Sequence, residues 1–197
     1  MVNKKKEDIL VAANSLFMRN GFHVVGVDWI IQESNVAKMT FYRHFPSKEE
    51  LIRSVLIRRN ESLQDSIKNF VALQDEPIAK LKSVFDWYKD WFLSDDFYGC
   101  MFIRASEEFR DANCPIRNIA REYKTWFEDY INSLLEGIEV SNSREIAKHI
   151  VIILEGLTVK ANMYNSTPED ELDFSWKYSM GIICRNGVSP EKLLEAC

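Results

Sequence analysis

The stretch Gly26 to Lys48, GVDWIIQESNVAKMTFYRHFPSK, constrains the fold more than any other part of the chain. Val27, Ile30 and Ile31 recur at i, i+3 and i+4, the spacing of one face of a short helix. Asp28 falls in its first turn, where a carboxylate complements the positive end of the helix dipole. That helix stops near Ser34-Asn35, because Asn tolerates the left-handed backbone of a sharp inter-helix turn, and a second helix restarts at about Val36. Plotted at about 100° per residue, the second helix carries Ala37, Phe41 and Phe45 on one side, with Met39 and Arg43 pointing the opposite way. Lys38 and Tyr42 flank the outer side on one edge, Thr40 and His44 on the other. Pro46 disfavours helical geometry at Phe45, and Ser47-Lys48-Glu49-Glu50 has the pattern of a capping box that opens the next helix. Lys48 thus sits at a helix N-terminus, where free backbone N–H groups already favour an anion.

An outer face built from a cation, a thioether, a hydroxyl, a phenol, a guanidinium and an imidazole suits phosphates and base edges better than mere solvation. The candidate DNA contacts are therefore Lys38, Met39, Thr40, Tyr42, Arg43, His44 and Lys48. Lys48 and Tyr42 are placed for phosphate, Thr40 and Met39 for bases, and Arg43 for either. Charge agrees with this division. The chain carries a net −5, which argues against indiscriminate nucleic-acid binding, yet residues 1–60 hold ten Lys/Arg against six Asp/Glu. The basic end coincides with the two-helix motif.

The run NVAKMTFYRHFPSKEELI resembles the helix-turn-helix of the TetR/AcrR family of bacterial transcriptional repressors, most specifically in Tyr42-Arg43-His44-Phe45 followed by Ser47-Lys48-Glu49-Glu50-Leu51. The resemblance spans roughly Ile9 to Arg53. It implies an all-α chain in two domains: a three-helix DNA-binding domain over residues 1–50, and a helical effector-binding and dimerisation domain over 51–197. It further implies that double-stranded operator DNA is bound by a homodimer joined through the helices near 143–164 and 170–185. Three departures stand out: Asn35 where the family usually has Gly, no hydroxyl residue at Gly26-Val27, and Ala37 where a hydroxyl is common. The last two remove phosphate contacts and shift the load to Lys38, Tyr42 and Lys48.

The remaining chain reads as helical throughout. Lys4-Lys5-Lys6 is either a solvated terminus or an arm that reaches the DNA backbone or minor groove. Helix one carries Ile9, Leu10, Ala13, Leu16 and Phe17 on one stripe, stops at Asn20-Gly21, and forms a core with Phe22, Ile30, Phe41 and Phe45. A fourth helix begins at the capping box and runs on toward Phe70. Breaks at Gln74 to Pro77, Ser94 to Asp96, Asp111 to Asn113, Gly137 to Asn142, Asn165 to Pro168 and Gly187 to Pro190 separate helices near 77–93, 97–109, 115–136, 143–164, 170–185 and 190–196. There is no secretory h-region and no apolar run long enough to span a bilayer, so a cytoplasmic protein with no membrane partner is expected. Cys100, Cys114, Cys184 and Cys197 lack any C-x-x-C pairing and read as free thiols, a Cys100–Cys114 redox pair being the alternative.

No catalytic, metal or cofactor pattern occurs: His23, His44 and His149 are scattered, and the acidic neighbours Glu107-Glu108 and Asp95-Asp96 read as solvated pairs. Residues 85–130 hold thirteen aromatic residues in forty-six positions. Trp87 and Trp91 share a helix face, as do Tyr123, Trp126, Phe127 and Tyr130. With Phe102 they either fill a core or line a pocket for a small, largely apolar effector of unknown identity. Gly99 to Arg104 with Glu107 is similar to the sixth helix of several TetR/AcrR members. Gly156 suggests a close helix approach, and Glu155 either pairs with a cation across an interface or faces a ligand. The reading that joins these features is a repressor released from its operator by that effector. The rivals are a helical effector-binding or interaction module without specific DNA binding, and an enzyme whose site no motif reveals.

Overall fold

The computed structural model describes residues 4–166 and 168–187, and the regular elements among them are all helices. In chain order they are α1 (Lys4–Asn20), α2 (Val27–Ser34), α3 (Lys38–His44), α4 (Lys48–Val71), α5 (Pro77–Leu93), α6 (Met101–Glu108), α7 (Pro115–Gly137), α8 (Ser143–Tyr164) and α9 (Glu169–Arg185). The all-α expectation holds. The helix expected at 190–196 lies outside the described residues, and the one expected over 97–109 begins only at Met101, because Gly99 takes a positive φ of 79° just before it.

Local chemistry explains where the early helices stop. Gly21 adopts φ +85° and closes α1 with an N–H bond to the Phe17 carbonyl at 3.0 Å. Asn35 sits in the left-handed region at φ 50°, ψ 44°, and its N–H returns to the Gln32 carbonyl, so α2 ends and α3 leaves in a new direction. Phe45, ahead of Pro46, is extended at φ −134°, ψ 99°. Ser47 Oγ then accepts the Glu50 N–H at 3.1 Å. Only that half of the expected capping box forms, since the Glu50 carboxylate is held by Arg53 at 2.7 Å.

The chain groups into two compact units. The first comprises the described residues up to Ser62 together with Cys100–Tyr123; the second comprises Leu63–Gly99 and the described residues from Lys124 onward. In the first unit α1 packs on α2 and α3, and Ile9, Phe17, Phe22, Ile30 and Phe41 are wholly buried around the contact. In the second, α5 packs on α8 and α9, and Phe85 meets Trp176 edge to face at 5.3 Å. Glu155 pairs with Lys124 of α7 at 2.9 Å, inside one chain. Among the described residues nothing approaches Gly156 closely, a Cβ there meeting nothing within 4 Å. Among the described residues no helix is long and apolar enough to cross a membrane.

The turn at Asn35 supplies a direct test. An alanine there must adopt a left-handed backbone at a cost of about 1–2 kcal/mol, whereas glycine adopts it freely. Chemical denaturation should therefore rank Asn35→Gly close to the parent and Asn35→Ala clearly below it. Equal stability of the two variants would mean that the turn does not depend on this conformation.

Candidate nucleic-acid interface

Phe41 is wholly buried and Phe45 nearly so, and this fixes which side of α3 is left outside. Met39 is 83% exposed and Tyr42 44% exposed, and Lys38 and Arg43 are exposed beside them. Thr40 is half-buried at one edge. His44, expected on that same outer edge, is also half-buried; its Nε2 is enclosed and has no hydrogen-bond partner among the described residues. Gly26 and Ala37 stand at the N-caps of α2 and α3 without side-chain acceptors, so neither cap side chain takes up a first-turn N–H group, although the Thr40 N–H donates to the Ala37 carbonyl at 2.8 Å.

Both candidate lysines already have partners. Lys38 Nζ lies 3.1 Å from Asp28 Oδ1 of α2 in an exposed ion pair. That hydrogen bond, then the carboxylate's charge, raises the ammonium pKa above its ordinary value. Lys48 is half-buried and donates to the His23 carbonyl at 3.3 Å. Burial lowers its pKa from the usual lysine value, partly countered by the Glu108 charge.

Sequence reasoning missed the structure behind Lys48. Glu108 of α6, read as one of a solvated acidic pair, accepts the Phe22 N–H at 3.0 Å and the His23 N–H at 2.7 Å, and its own carbonyl lies 3.0 Å from His23 Nε2. One turn earlier, Arg104 donates to the Phe17 and Met18 carbonyls at 3.1 and 2.6 Å, the open C-terminal end of α1. Gly21 leaves room for this contact, since a Cβ there would stand 2.7 Å from Glu108 Oε1. Residues 86 apart in sequence thus hold the α1–α2 turn, and that turn holds Lys48. No local pattern encodes such a contact; the only sequence trace was Glu108 close to Arg104 on a short helix.

The match to known proteins falls on this same surface. The sequence model described as "Bacterial regulatory proteins, tetR family" matches residues 9–55, from α1 into α4. The HTH-type transcriptional regulator of the lacX 3′ region of Lactococcus lactis is 29% identical over 160 residues, 80% of this chain and 74% of that protein. The HTH-type transcriptional activator FasR of Mycolicibacterium smegmatis is 26% identical over 152 residues, 77% of this chain and 69% of that one. The crystal structure of a TetR-family transcriptional regulator from Streptomyces coelicolor shares the fold with a TM-score of 0.85, covering 93% of this chain and 96% of its own at 23% identity. Over residues 9–55 the chain carries the pattern of the tetR family of bacterial regulatory proteins. It is a DNA-binding transcriptional regulator, and regulators of this family bind operator DNA and act as dimers.

The aromatic residues singled out for an effector are divided between the two compact units. Phe102 and Tyr123 belong to the first compact unit, where their rings stack at 4.3 Å. The other five lie in the second. There Trp87 is buried, with its indole N–H on Ser66 Oγ at 3.0 Å, and Phe127 is buried against Tyr88, so both serve the core. Trp91, Trp126 and Tyr130 keep partly exposed rings. Trp126 and Tyr130 stack nearly parallel at 5.4 Å, with Lys68 Nζ 5.2 Å from the Trp126 ring centre.

Removing the Glu108 carboxylate leaves two backbone donors short of an acceptor, a loss of about 1–3 kcal/mol. Glu108→Ala should lower the unfolding free energy by that amount and speed amide hydrogen exchange at Phe22 and His23 in particular. Exchange at these two amides that matches the parent would show that the α1–α2 turn is held by something else.

Proposed function

We propose that the protein is a homodimeric repressor whose α3 reads double-stranded operator DNA and which leaves that DNA when a small, largely apolar effector binds. The observation that carries this reading is the outer face of α3, where Lys38, Met39, Tyr42 and Arg43 stand exposed on a helix anchored by buried Phe41. In this reading residues 1–50 contact DNA, residues 51–197 bind effector and form the dimer, and the protein works in the cytoplasm.

Dimerisation through α8 and α9 is supported by an exposed apolar stripe. Ile152, Val159 and Met163 are exposed on α8 at spacings that put them on one face with the open Gly156, and Phe174 and Tyr178 are exposed on α9 one turn apart. A short reading helix covers only a few base pairs, and a second copy about one DNA turn (roughly 34–36 Å) away supplies useful specificity. For the effector, the half-buried Trp91, Trp126 and Tyr130 offer planar apolar surface. Activation from the same operator is a second reading, favoured by the similarity to the activator FasR; a reporter assay in cells with and without the gene separates the two.

Gel shifts on the DNA upstream of the neighbouring gene test the DNA-reading face. Lys48→Ala and Tyr42→Phe should weaken binding to all sequences, the lysine change also flattening the salt dependence by about one unit per half-site. Thr40→Ala and Met39→Ala should change which sequence is preferred. A uniform loss from Thr40→Ala across a panel of operator variants, indistinguishable from Lys48→Ala, would overturn the division between positioning and reading.

Effector coupling has its own test. Linkage requires that an effector lowering operator affinity be bound less tightly, by the same factor, when operator is present, typically about 5–150-fold. A screen of hydrophobic and planar compounds by tryptophan fluorescence should find one that releases DNA, and Trp126→Ala should weaken its action while leaving effector-free operator binding nearly unchanged. Compounds that neither alter the fluorescence nor release DNA would sink the effector half of the proposal.

A further inference from the structure

Lys38 is the first residue of α3, and its ammonium is engaged 3.1 Å from a carboxylate of the preceding helix. The pair has no role in the core: the Asp28 side chain is 85% exposed and that of Lys38 64% exposed. Exposed pairs of this kind add little to folding stability. Asp28 places a negative charge on the surface that the proposed function turns toward a polyanion. Residues 1–60 carry only six carboxylates, and Glu7, Asp8 and Glu50 are paired with cations on α1 and α4, whereas Asp28 is paired with a residue of α3.

We infer that Asp28 is an internal competitor for DNA phosphate, holding Lys38 of α3 until a backbone phosphate replaces the carboxylate. A free surface lysine that meets DNA displaces a condensed counterion, and that release drives sequence-independent binding. A lysine already neutralised by its own chain exchanges one anion for another and contributes far less. The device lowers affinity for DNA in general and leaves a larger share of binding to base contacts. It rests on the reading of the α3 outer face as the DNA contact, and it adds a residue, Asp28, that touches no base in order to act.

The experiment needs no known operator. Full-length parent, Asp28→Asn, Lys38→Gln and the double variant are titrated with a short mixed-sequence duplex over a range of salt concentrations, with circular dichroism confirming that each is folded. Asparagine keeps a side-chain oxygen in the first turn of α2 while removing the charge. Asp28→Asn should bind more tightly, with a salt dependence steeper by about 0.9 units per protomer, about 1.8 for a dimer. Its advantage over the parent should consequently shrink about tenfold between 50 and 200 mM salt. In the Lys38→Gln background the same change should have little effect. An equal gain in both backgrounds would mean that Asp28 merely repels DNA at a distance, and no gain in either would mean that Lys38 is not withheld; each result overturns the inference. If Lys38→Gln weakens binding while Asp28→Asn is silent, the inference alone fails. If no change at Lys38, Asp28 or Lys48 alters binding, the DNA-reading face fails with it.

Discussion

A helix of seven residues has no stability of its own, because nucleation in water is unfavourable and a single run of two turns cannot repay it. The direction of α3, and so the chemistry it presents, depends on the burial of Phe41 and Phe45 in the core made with α1 and α2. Each buried ring contributes about 1.5–3 kcal/mol, enough to hold the helix against its own fraying. With the inner side anchored, Met39, Tyr42 and Arg43 have only one way to face. The chemistry that α3 presents follows from which side of a short helix the core has claimed.

The surface so exposed is not simply a row of free cations. Lys38 is shared with Asp28, Lys48 with the His23 carbonyl, and the outer nitrogen of His44 is enclosed. A surface whose cations are partly satisfied within the chain binds polyanion less avidly, and this suits a regulator that must leave most DNA alone. The net charge of −5 acts in the same direction over longer distances.

Behind the outer face of α3, the α1–α2 turn is closed by α6. The carboxylate of Glu108 and the guanidinium of Arg104 satisfy donors at the start of that turn and acceptors at the end of α1. Charge-assisted bonds to backbone groups are stronger than neutral ones, and these join segments more than eighty residues apart. Movement of α6 therefore bears on the turn from which Lys48 is held.

By itself the sequence determined the order of the helices from α1 to α9 and the outer face of α3, though not the start of α6, because these rest on local rules: 3.6-residue periodicity, the left-handed tolerance of Asn35, the extended preference before Pro46, and the Ser47 cap. The bounds of α5 and α8 were legible for the same reason, being marked by Pro77 and by flanking Asn residues. Only the tertiary structure decided the partners of charged groups. Glu108 on the α1–α2 turn, Lys124 on Glu155, Asp28 on Lys38 and Arg53 on Glu50 are choices among many carboxylates and cations of equal local merit. Tertiary packing also divided the aromatic residues, sending Phe102 and Tyr123 to one unit and Trp87, Trp91 and Trp126 to the other. Periodicity states which way a ring points relative to its own helix, whereas what it meets there depends on the helices that the chain folds against it.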